Sequence, residues 1–128
     1  MKKKVLLVDD SNTVLMMEKM ILSKGSFDIV LAHDGLEAVE KAKSDQPDVI
    51  LLDVMMPRLD GLSACAAIRA EASTAHIPII MVTTRGEEAN IEKAFSNGCT
   101  DYVTKPINGL ELLTKLQNIL DLSAQVAS

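Results

Sequence analysis

Aromatic residues are almost absent from this sequence, which has two phenylalanines, one tyrosine and no tryptophan among 128 residues. Because 48% of the residues are nonetheless hydrophobic, the core has to be aliphatic, made of Val, Ile, Leu, Ala and Met. A chain of this length can bury one substantial core. We therefore expect one domain whose interior depends on aliphatic packing.

Long apolar runs and clustered positive charge are scarce as well. The basic run at residues 2–4 is followed by only four apolar residues before two acids, which is too short for a signal peptide, and no stretch is long enough to span a membrane. The formal net charge of −5 disfavours nucleic acid or an anionic membrane as a direct partner, because both favour a basic surface. We expect a soluble cytoplasmic protein.

Cysteine and histidine, the usual ligands of transition metals, are also few. Cys65 and Cys99 lie far apart without a C-x-x-C spacing, and we predict that both are buried, reduced thiols. His33 and His76 fall in or near loops, where we expect solvated side chains without a phosphoacceptor or metal-binding role.

Short apolar blocks alternate with helical patterns along the whole chain. The blocks that we predict to be strands are residues 5–8, 27–31, 49–53, 79–82 and 102–103. Strands that alternate with helices favour a parallel sheet with short, right-handed crossovers. We predict an α/β fold, a (βα)5 unit, in residues 1–122, and a short, frayed tail at residues 123–128.

The first helix contains apolar residues at many positions. Their spacing predicts that Val14, Met17 and Ile21 form one inward face. Met16, Met17 and Met20 are interpreted as core and rim of this helix rather than as a groove for a partner.

The other helices begin with capping signals. Asp34 with Glu37, and Thr84 with Glu87, have the spacing of a capping box. The last helix is expected to start near Asn108.

The third strand ends in an acid. Its residues Val-Ile-Leu-Leu at 49–52 are followed by Asp53, and Pro57 and Gly61 then change the chain direction. Such a run is typical of a strand that is buried on both faces. Ligands of open α/β sheets bind at the carboxyl ends of the strands, so we place Asp53 at the centre of the functional site.

Polar residues follow other strands at the same edge of the sheet. With Asp53 they form a set of five: Asp9, Asp10, Asp53, Thr83 and Lys105. Crowded carboxylates raise one another's pKa unless a cation joins them, and oxygen ligands without histidine or thiolate suit Mg²⁺. Lys105 and Thr83 add a positive charge and a hydroxyl donor for an anion placed on Asp53. A carboxylate can itself be the nucleophile toward a phosphoryl group.

Nearly the whole chain, residues 4–120, resembles the receiver domain of bacterial two-component response regulators, in the stand-alone form of chemotaxis regulators. The resemblance rests on Val-Asp-Asp at 8–10, Leu-Asp-Val-Met-Met-Pro at 52–57, Asp-Gly at 60–61, Val-Thr at 82–83, Gly98, and Asp-Tyr-Val-Thr-Lys-Pro at 101–106. It implies a flavodoxin-like fold with strand order 2-1-3-4-5 and helices on both faces.

The resemblance also implies roles for individual residues. Asp53 is similar to the phosphoacceptor of the family, and Asp10 to the direct Mg²⁺ ligand, with Asp9 acting mainly through water. Asp53 itself and the backbone carbonyl of Met55 would be further metal ligands. Lys105 is similar to the lysine that contacts the phosphoryl oxygens.

Two further features of the family concern the fifth strand. Thr83 and Tyr102 are similar to its switch pair, in which the hydroxyl moves toward the phosphoryl group and the ring fills the vacated space. The surface formed by the fourth helix, fifth strand and fifth helix then changes. The bond between Lys105 and Pro106 is expected to be cis, as in family members.

Three residues depart from the commonest family pattern. Thr84 stands where a small residue is frequent, and Arg85 places a cation on the opposite rim of the site. Met55 places an apolar side chain beside Asp53 and cannot orient an attacking water. We hypothesise slow hydrolysis of the phosphorylated form, which a Met55→Asn substitution would accelerate.

The resemblance favours a phosphorylation-activated switch that receives its phosphoryl group from a histidine kinase or phosphotransfer protein and acts on an unidentified protein. It is not expected to be an enzyme beyond self-phosphorylation and slow autodephosphorylation. One alternative is a pseudo-receiver that only binds a partner. Another is a Mg²⁺-dependent aspartyl phosphatase, although Met55 stands where such enzymes need a second acid. The sequence leaves open a monomer or weak dimer, and a whole regulator or a part of one.

Overall fold

The apolar blocks form five strands that alternate with five helices. The computed structural model describes residues 2–84 and 87–127. In chain order the elements are β1 (Lys3–Val8), α1 (Asn12–Leu22), β2 (Phe27–Ala32), α2 (Gly35–Asp45), β3 (Val49–Asp53), α3 (Gly61–Ala70), β4 (Ile79–Thr84), α4 (Glu88–Ser96), β5 (Asp101–Lys105) and α5 (Gly109–Ala127).

The strands form one parallel sheet in the order β2-β1-β3-β4-β5. This arrangement confirms the α/β class and the strand order 2-1-3-4-5. Strand β3 lies at the centre and every one of its residues is buried. The register aligns Val8 with Leu52, and Asp53 with Val82. The carboxyl ends of β1, β3 and β4 therefore reach the same edge of the sheet.

Side chains of the strands point alternately to two apolar layers. Helices α1 and α5 cover one side of the sheet, which we call the α1/α5 face; its core contains Val5, Leu7, Val49, Leu51 and Val103. Helices α2, α3 and α4 cover the other side, the α2/α3/α4 face; its core contains Leu6, Val8, Ile50, Leu52 and Met81. Each side of the sheet is thus sealed by helices, as continuous apolar strands require.

The predicted inward face of α1 is wrong by one residue, although Ile21 of the predicted set packs against the α1/α5 core. Leu15, Glu18 and Leu22 are the buried residues of this helix, whereas Met17 is 43% exposed. Met16 and Met20 are exposed as well, so the interpretation of the three methionines as core and rim is also wrong. Apolar side chains occur around most of the circumference of α1. Their spacing therefore does not determine which side of the helix faces the sheet.

The capping box predicted for α4 is not formed. Thr84 is the last residue of β4, and Glu87 precedes the helix without a side-chain capping bond. By contrast, the side chains of Asp34 and Asn108 accept bonds from the backbone N–H groups of Glu37 and Glu111, as capping residues do.

Other expectations concern single residues and the end of the chain. Cys65 and Cys99 are free and buried, and His33 and His76 are exposed in loops, as predicted. Helix α5 continues to Ala127, through most of the segment expected to be a tail. None of the helices in the described residues is both long and apolar enough to cross a membrane.

Candidate functional site

Three carboxylates converge where β1 and β3 end. One oxygen from each of Asp9, Asp10 and Asp53 lies within 4.8 Å of the others. Asp9 and Asp53 are buried, whereas Asp10 is exposed. The turn after β1 is held by the Ser11 backbone N–H, which donates to Oδ1 of Asp9 over 2.9 Å. Asp10 is therefore the carboxylate of the cluster that faces solvent.

Lys105, the last residue of β5, joins two of these acids. Its Nζ lies 3.2 Å from Oδ2 of Asp9 and 3.2 Å from Oδ1 of Asp53. Burial lowers the pKa of Lys105, but the carboxylates of Asp53 and Asp9 outweigh this effect and the pKa is raised. Lys105 therefore stays protonated and, within residues 2–84 and 87–127, is a cation shared by the two buried acids.

The Lys105 ammonium group does not fully compensate the acids. Burial, followed by the charge of Asp9, raises the pKa of Asp53 to about 6, although Lys105 acts in the opposite direction. At neutral pH Asp53 is mostly ionised, and its carboxylate is more basic than an ordinary aspartate. The cluster thus retains an excess of negative charge that a further cation would stabilise.

Thr83 of β4 follows Val82, which is the register partner of Asp53. The side chain of Thr83 is 3% exposed, and its Oγ1 has no hydrogen-bond partner among the described residues. Leaving a buried hydroxyl unpaired is costly, and such groups need an explanation. A bound group that accepts a hydrogen bond at this place would satisfy the hydroxyl.

Tyr102 is a half-buried residue of β5 that packs against the core of the α2/α3/α4 face. Its ring meets the Phe95 ring edge to face, with centroids 6.2 Å apart. Nζ of Lys115 lies 4.8 Å from the Tyr102 ring centroid. In the sheet register Met81 is paired with Tyr102 and Thr83 with Thr104. Thr83 and Tyr102 therefore lie near each other on adjacent strands.

The loop between β3 and α3 closes tightly on the end of β3. The Gly61 backbone N–H donates to the Val54 carbonyl over 2.8 Å, and a Cβ at Gly61 would lie 2.0 Å from the Asp53 carbonyl oxygen. Only glycine permits this approach. Met55 of this loop is 63% exposed. On the neighbouring loop, the Lys105–Pro106 bond is cis, and Arg85 lies outside the described residues.

Sequence reasoning missed one acid close to the site. Glu18 of α1 is 1% exposed, and its Oε1 has no partner among the described residues. Burial first, and then the charge of Asp9, raise the pKa of Glu18 to about 8. The signal in the sequence was its position between Leu15 and Leu22, three and four residues away, which places all three on one side of a helix.

The donor set at the edge of the sheet fits Mg²⁺. It contains only oxygen ligands from three carboxylates, and no cysteine or histidine belongs to it. Mg²⁺ prefers carboxylates, water and phosphate oxygens, and typically binds to one or two protein carboxylates while keeping several waters. The uncompensated charge and the unpaired Thr83 hydroxyl are both consistent with a cation and an anion that bind together.

Comparison with known proteins agrees with this geometry. The family profile described as the response regulator receiver domain matches residues 5–117, and the chain belongs to this family. It is 37% identical over 120 residues to the alkaline phosphatase synthesis transcriptional regulatory protein PhoP of Bacillus subtilis, and 38% identical over 120 residues to the response regulator MprA of Mycobacterium ulcerans. These alignments cover 94% of the chain but 49% and 51% of the two relatives, so the chain spans about half their length.

Solved structures show the same architecture. A response regulator described as putative from Chloroflexus aurantiacus superposes with a TM-score of 0.91 at 31% identity, over 94% of this chain and 99% of the other. The chemotaxis protein CheY4 of Vibrio cholerae gives a TM-score of 0.86 at 34% identity, over 93% and 99%. The receiver domain of a sensor histidine kinase from Pseudomonas aeruginosa gives 0.87 at 31%, over 94% and 99%, and its structure has magnesium in the active-site cleft.

Proposed function

We propose that this receiver domain is a phosphorylation-activated switch in which Asp53 accepts the phosphoryl group. The observation that carries the proposal is the meeting of three carboxylates, the Lys105 ammonium and the unpaired Thr83 hydroxyl at one edge of the sheet. Each group has a place in one reaction. The reaction is the transfer of a phosphoryl group to a carboxylate.

The transfer begins with the Asp53 carboxylate as nucleophile. One of its oxygens forms the bond to phosphorus, while the donor's leaving group takes the electrons of the broken bond. Burial keeps this carboxylate poorly solvated and basic. Lys105 approaches the Asp53 oxygen at 3.2 Å in the resting protein, so it is placed to bind a phosphoryl oxygen with little movement. Such a preset charge is the main means of stabilising phosphoryl transfer.

Asp9, Asp10 and the Met55 carbonyl would hold Mg²⁺ beside Asp53, with Asp10 as the direct ligand and Asp9 acting mainly through water. When bound, the metal would neutralise charge on the phosphoryl oxygens and on the acids. The exposed position of Asp10 leaves room for metal-bound water. Together with Lys105, the metal would balance the charge of about −1.5 to −2 that a phosphoryl group adds.

Thr83 and Tyr102 are proposed as the switch pair. A new phosphoryl oxygen gives the Thr83 hydroxyl the partner that it lacks, and this bond draws the side chain toward Asp53. The space that the Thr83 side chain leaves is then free for the Tyr102 ring. This shift favours one of two existing arrangements of the surface formed by α4, β5 and α5, which would contact a downstream protein.

The phosphoryl donor would be a histidine kinase or a phosphotransfer protein, as in the family. Met16 and Met20 are 64% and 66% exposed on α1, the helix that starts directly after the acid cluster. Flexible methionine side chains suit a docking surface that adapts to its partner. We propose that this part of α1 contributes to donor binding, with the protein acting as a monomer or weak dimer.

The proposal is tested by intact mass after incubation with Mg²⁺ and acetyl phosphate. The wild type is expected to gain the mass of one phosphoryl group, and a chelator should prevent the gain. Asp53→Asn, which keeps the shape of the side chain, is expected to remain unmodified. A wild type that gains nothing, with acetyl phosphate or with a kinase, would contradict the proposal and favour a pseudo-receiver.

A further inference from the structure

The loop between β3 and α3 has a backbone conformation that its sequence does not favour. Arg58 has a φ of 65°, and the Leu59 backbone N–H donates to the Pro57 carbonyl over 2.7 Å. A three-residue turn with a positive φ at its centre is rare and strained. Glycine adopts this region freely, and asparagine tolerates it better than arginine.

The arginine side chain makes a contact that glycine could not make. Its Nη2 forms an ion pair with Oδ2 of Asp34, whose side chain is only 4% exposed. The other oxygen of Asp34 is already used, because Oδ1 accepts the Glu37 backbone N–H over 2.9 Å. That backbone bond, and then Arg58, lower the pKa of Asp34 against the opposing effect of burial. Asp34 therefore holds the first turn of α2 with one oxygen and the loop with the other.

A second contact between the same two segments lies next to the ion pair. A Cβ at Gly35 would lie 2.0 Å from the Leu59 carbonyl oxygen. The backbone at the start of α2 therefore touches the backbone of the loop directly. Because Gly35 follows Asp34 and Leu59 follows Arg58, the ion pair and the close approach are adjacent. Together they fix the position of the loop against a helix end.

We propose that Arg58 is a positioning residue that, through its ion pair with Asp34, fixes the loop carrying the Met55 carbonyl beside the acid cluster. The inference rests on the proposed function, because it concerns the same metal site. Mg²⁺ requires nearly ideal octahedral geometry, so a displaced carbonyl weakens its binding. Groups that orient the ligands of a metal without binding it themselves commonly contribute 10- to 100-fold to metal affinity. We expect the loss of the ion pair to weaken Mg²⁺ binding about tenfold.

Calorimetric titration of the unphosphorylated protein with Mg²⁺ tests the inference. Arg58→Gly removes the ion pair and also relieves the strained φ, so the melting temperature should stay near the wild-type value while the Mg²⁺ dissociation constant rises about tenfold. Arg58→Lys keeps the charge and should recover part of the affinity. A residue with only a structural role would change the melting temperature and leave the dissociation constant unchanged.

The matched control breaks a different ion pair of α2. Lys43 pairs with Glu71 over 3.4 Å, and both side chains are 49% exposed. Lys43→Ala should leave Mg²⁺ binding unchanged. Asp34→Asn keeps a capping oxygen but loses the charge, and it should weaken Mg²⁺ binding as much as Arg58→Gly. The double variant should be no weaker than either single variant, because both remove the same contact.

Hydrogen exchange without Mg²⁺ supplies a readout that does not depend on the metal. The backbone N–H groups of Leu59 and Gly61, which are bonded within the loop, should exchange faster in Arg58→Gly than in the wild type. Unchanged exchange together with unchanged Mg²⁺ affinity would overturn the role of Arg58 alone. A wild type that does not bind Mg²⁺ would overturn this role and the proposed metal site together.

Discussion

At the carboxyl edge of the sheet, the strand ends on the α1/α5 face carry charged side chains, whereas the strand ends on the α2/α3/α4 face carry uncharged hydroxyls. Side chains two residues apart on a strand point to the same side of the sheet. Asp9, Asp53 and Lys105 each lie two residues after a member of the α1/α5 core, namely Leu7, Leu51 and Val103. Thr83 lies two residues after Met81, which belongs to the core of the α2/α3/α4 face, and Tyr102 packs against the same core. The charged groups and the Thr83–Tyr102 pair thus continue opposite layers of the core and meet at the carboxyl edge, where Thr83 follows Val82, the register partner of Asp53.

The difference has a physical consequence for signalling. Charged groups in a poorly solvated site resist displacement, because each movement leaves another charge uncompensated. A threonine and a tyrosine can repack at much lower cost, since neither carries a charge. We therefore interpret the α1/α5 face as the part that performs the chemistry and the α2/α3/α4 face as the part that responds to it.

The largest expected effect comes from removing the positive charge of the α1/α5 face. Lys105→Met should slow phosphorylation by acetyl phosphate about 100-fold or more, because a preset charge at the transferring group is lost. The pKa of Asp53, now without its cation, should rise further above about 6. The rate is measured by intact mass over time, and the pKa by NMR titration of the carboxyl carbon.

Lys115→Met is the matched control for this variant. Lys115 is buried to the same degree as Lys105, with side chains 26% and 27% exposed, and it also pairs with an aspartate, Asp101. Phosphorylation of the control should proceed as in the wild type. Equal slowing in both variants would show that net charge, rather than the position of Lys105, controls the reaction.

The second prediction concerns Glu18, the buried acid of α1 whose pKa is affected by the charge of Asp9. Its pKa is raised to about 8 from the ordinary value of 4.5. Below pH 4.5 it is protonated in the folded and unfolded states, so it contributes nothing to the pH dependence there. Between pH 4.5 and 8 the unfolded state ionises and the folded state does not, so stability falls by up to about 1.4 kcal/mol per pH unit.

Glu18→Leu should remove this pH dependence and raise the free energy of unfolding most at pH 8. The measurement is urea denaturation across pH 5–8 for the wild type, Glu18→Leu and Glu18→Gln. The glutamine keeps an unpaired polar group without titrating, so it should flatten the pH profile with a smaller gain in stability. Parallel pH profiles for the wild type and the leucine variant would contradict the assignment.

A smaller effect is expected on the uncharged face. Thr83→Val replaces the unpaired hydroxyl with a methyl group of similar size, so stability should stay the same or rise by up to about 1 kcal/mol. Phosphorylation should persist, but the response of Tyr102 should be lost. Because Tyr102 is the only tyrosine and the chain has no tryptophan, tyrosine fluorescence reports on this residue directly. A fluorescence change as large as in the wild type would contradict the role of Thr83 in the switch.

The smallest expected effect concerns Met55, at the entrance to the site. Met55→Asn should hydrolyse the phosphorylated form a few-fold faster, since an amide can orient an attacking water and a thioether cannot. Loss of phosphoryl mass after removal of the donor gives the rate. Met55→Leu, which stays apolar, should hydrolyse as slowly as the wild type. No acceleration in the asparagine variant would rule out the hypothesis.

The sequence predicts the fold, and the location of the candidate site at the carboxyl edge of the sheet, for a simple reason. Polar residues such as Asp9, Asp53 and Lys105, which end or follow the predicted strands, locate the strand ends, and a parallel sheet brings those ends together. The order of the strands came only from the family resemblance. No local pattern in the sequence states which strand lies beside which.

Features that depend on packing between elements were not predicted. The inward stripe of α1 was misplaced because its exposed methionines are as apolar as its core residues, and Glu18 was overlooked because an acid usually faces solvent. The ion pair of Arg58 with Asp34 joins two loops 24 positions apart in the sequence. No spacing rule predicts a contact that arises only from the tertiary fold.

The measurement that tests the central claim most directly is localisation of the phosphoryl group. The protein is phosphorylated with acetyl phosphate and Mg²⁺, reduced with borohydride, which converts an aspartyl phosphate to homoserine, and digested for sequencing by mass spectrometry. We expect homoserine at position 53 and unmodified aspartates at positions 9 and 10. Homoserine at position 9 or 10, or none at all in protein that has gained phosphoryl mass, would contradict this expectation.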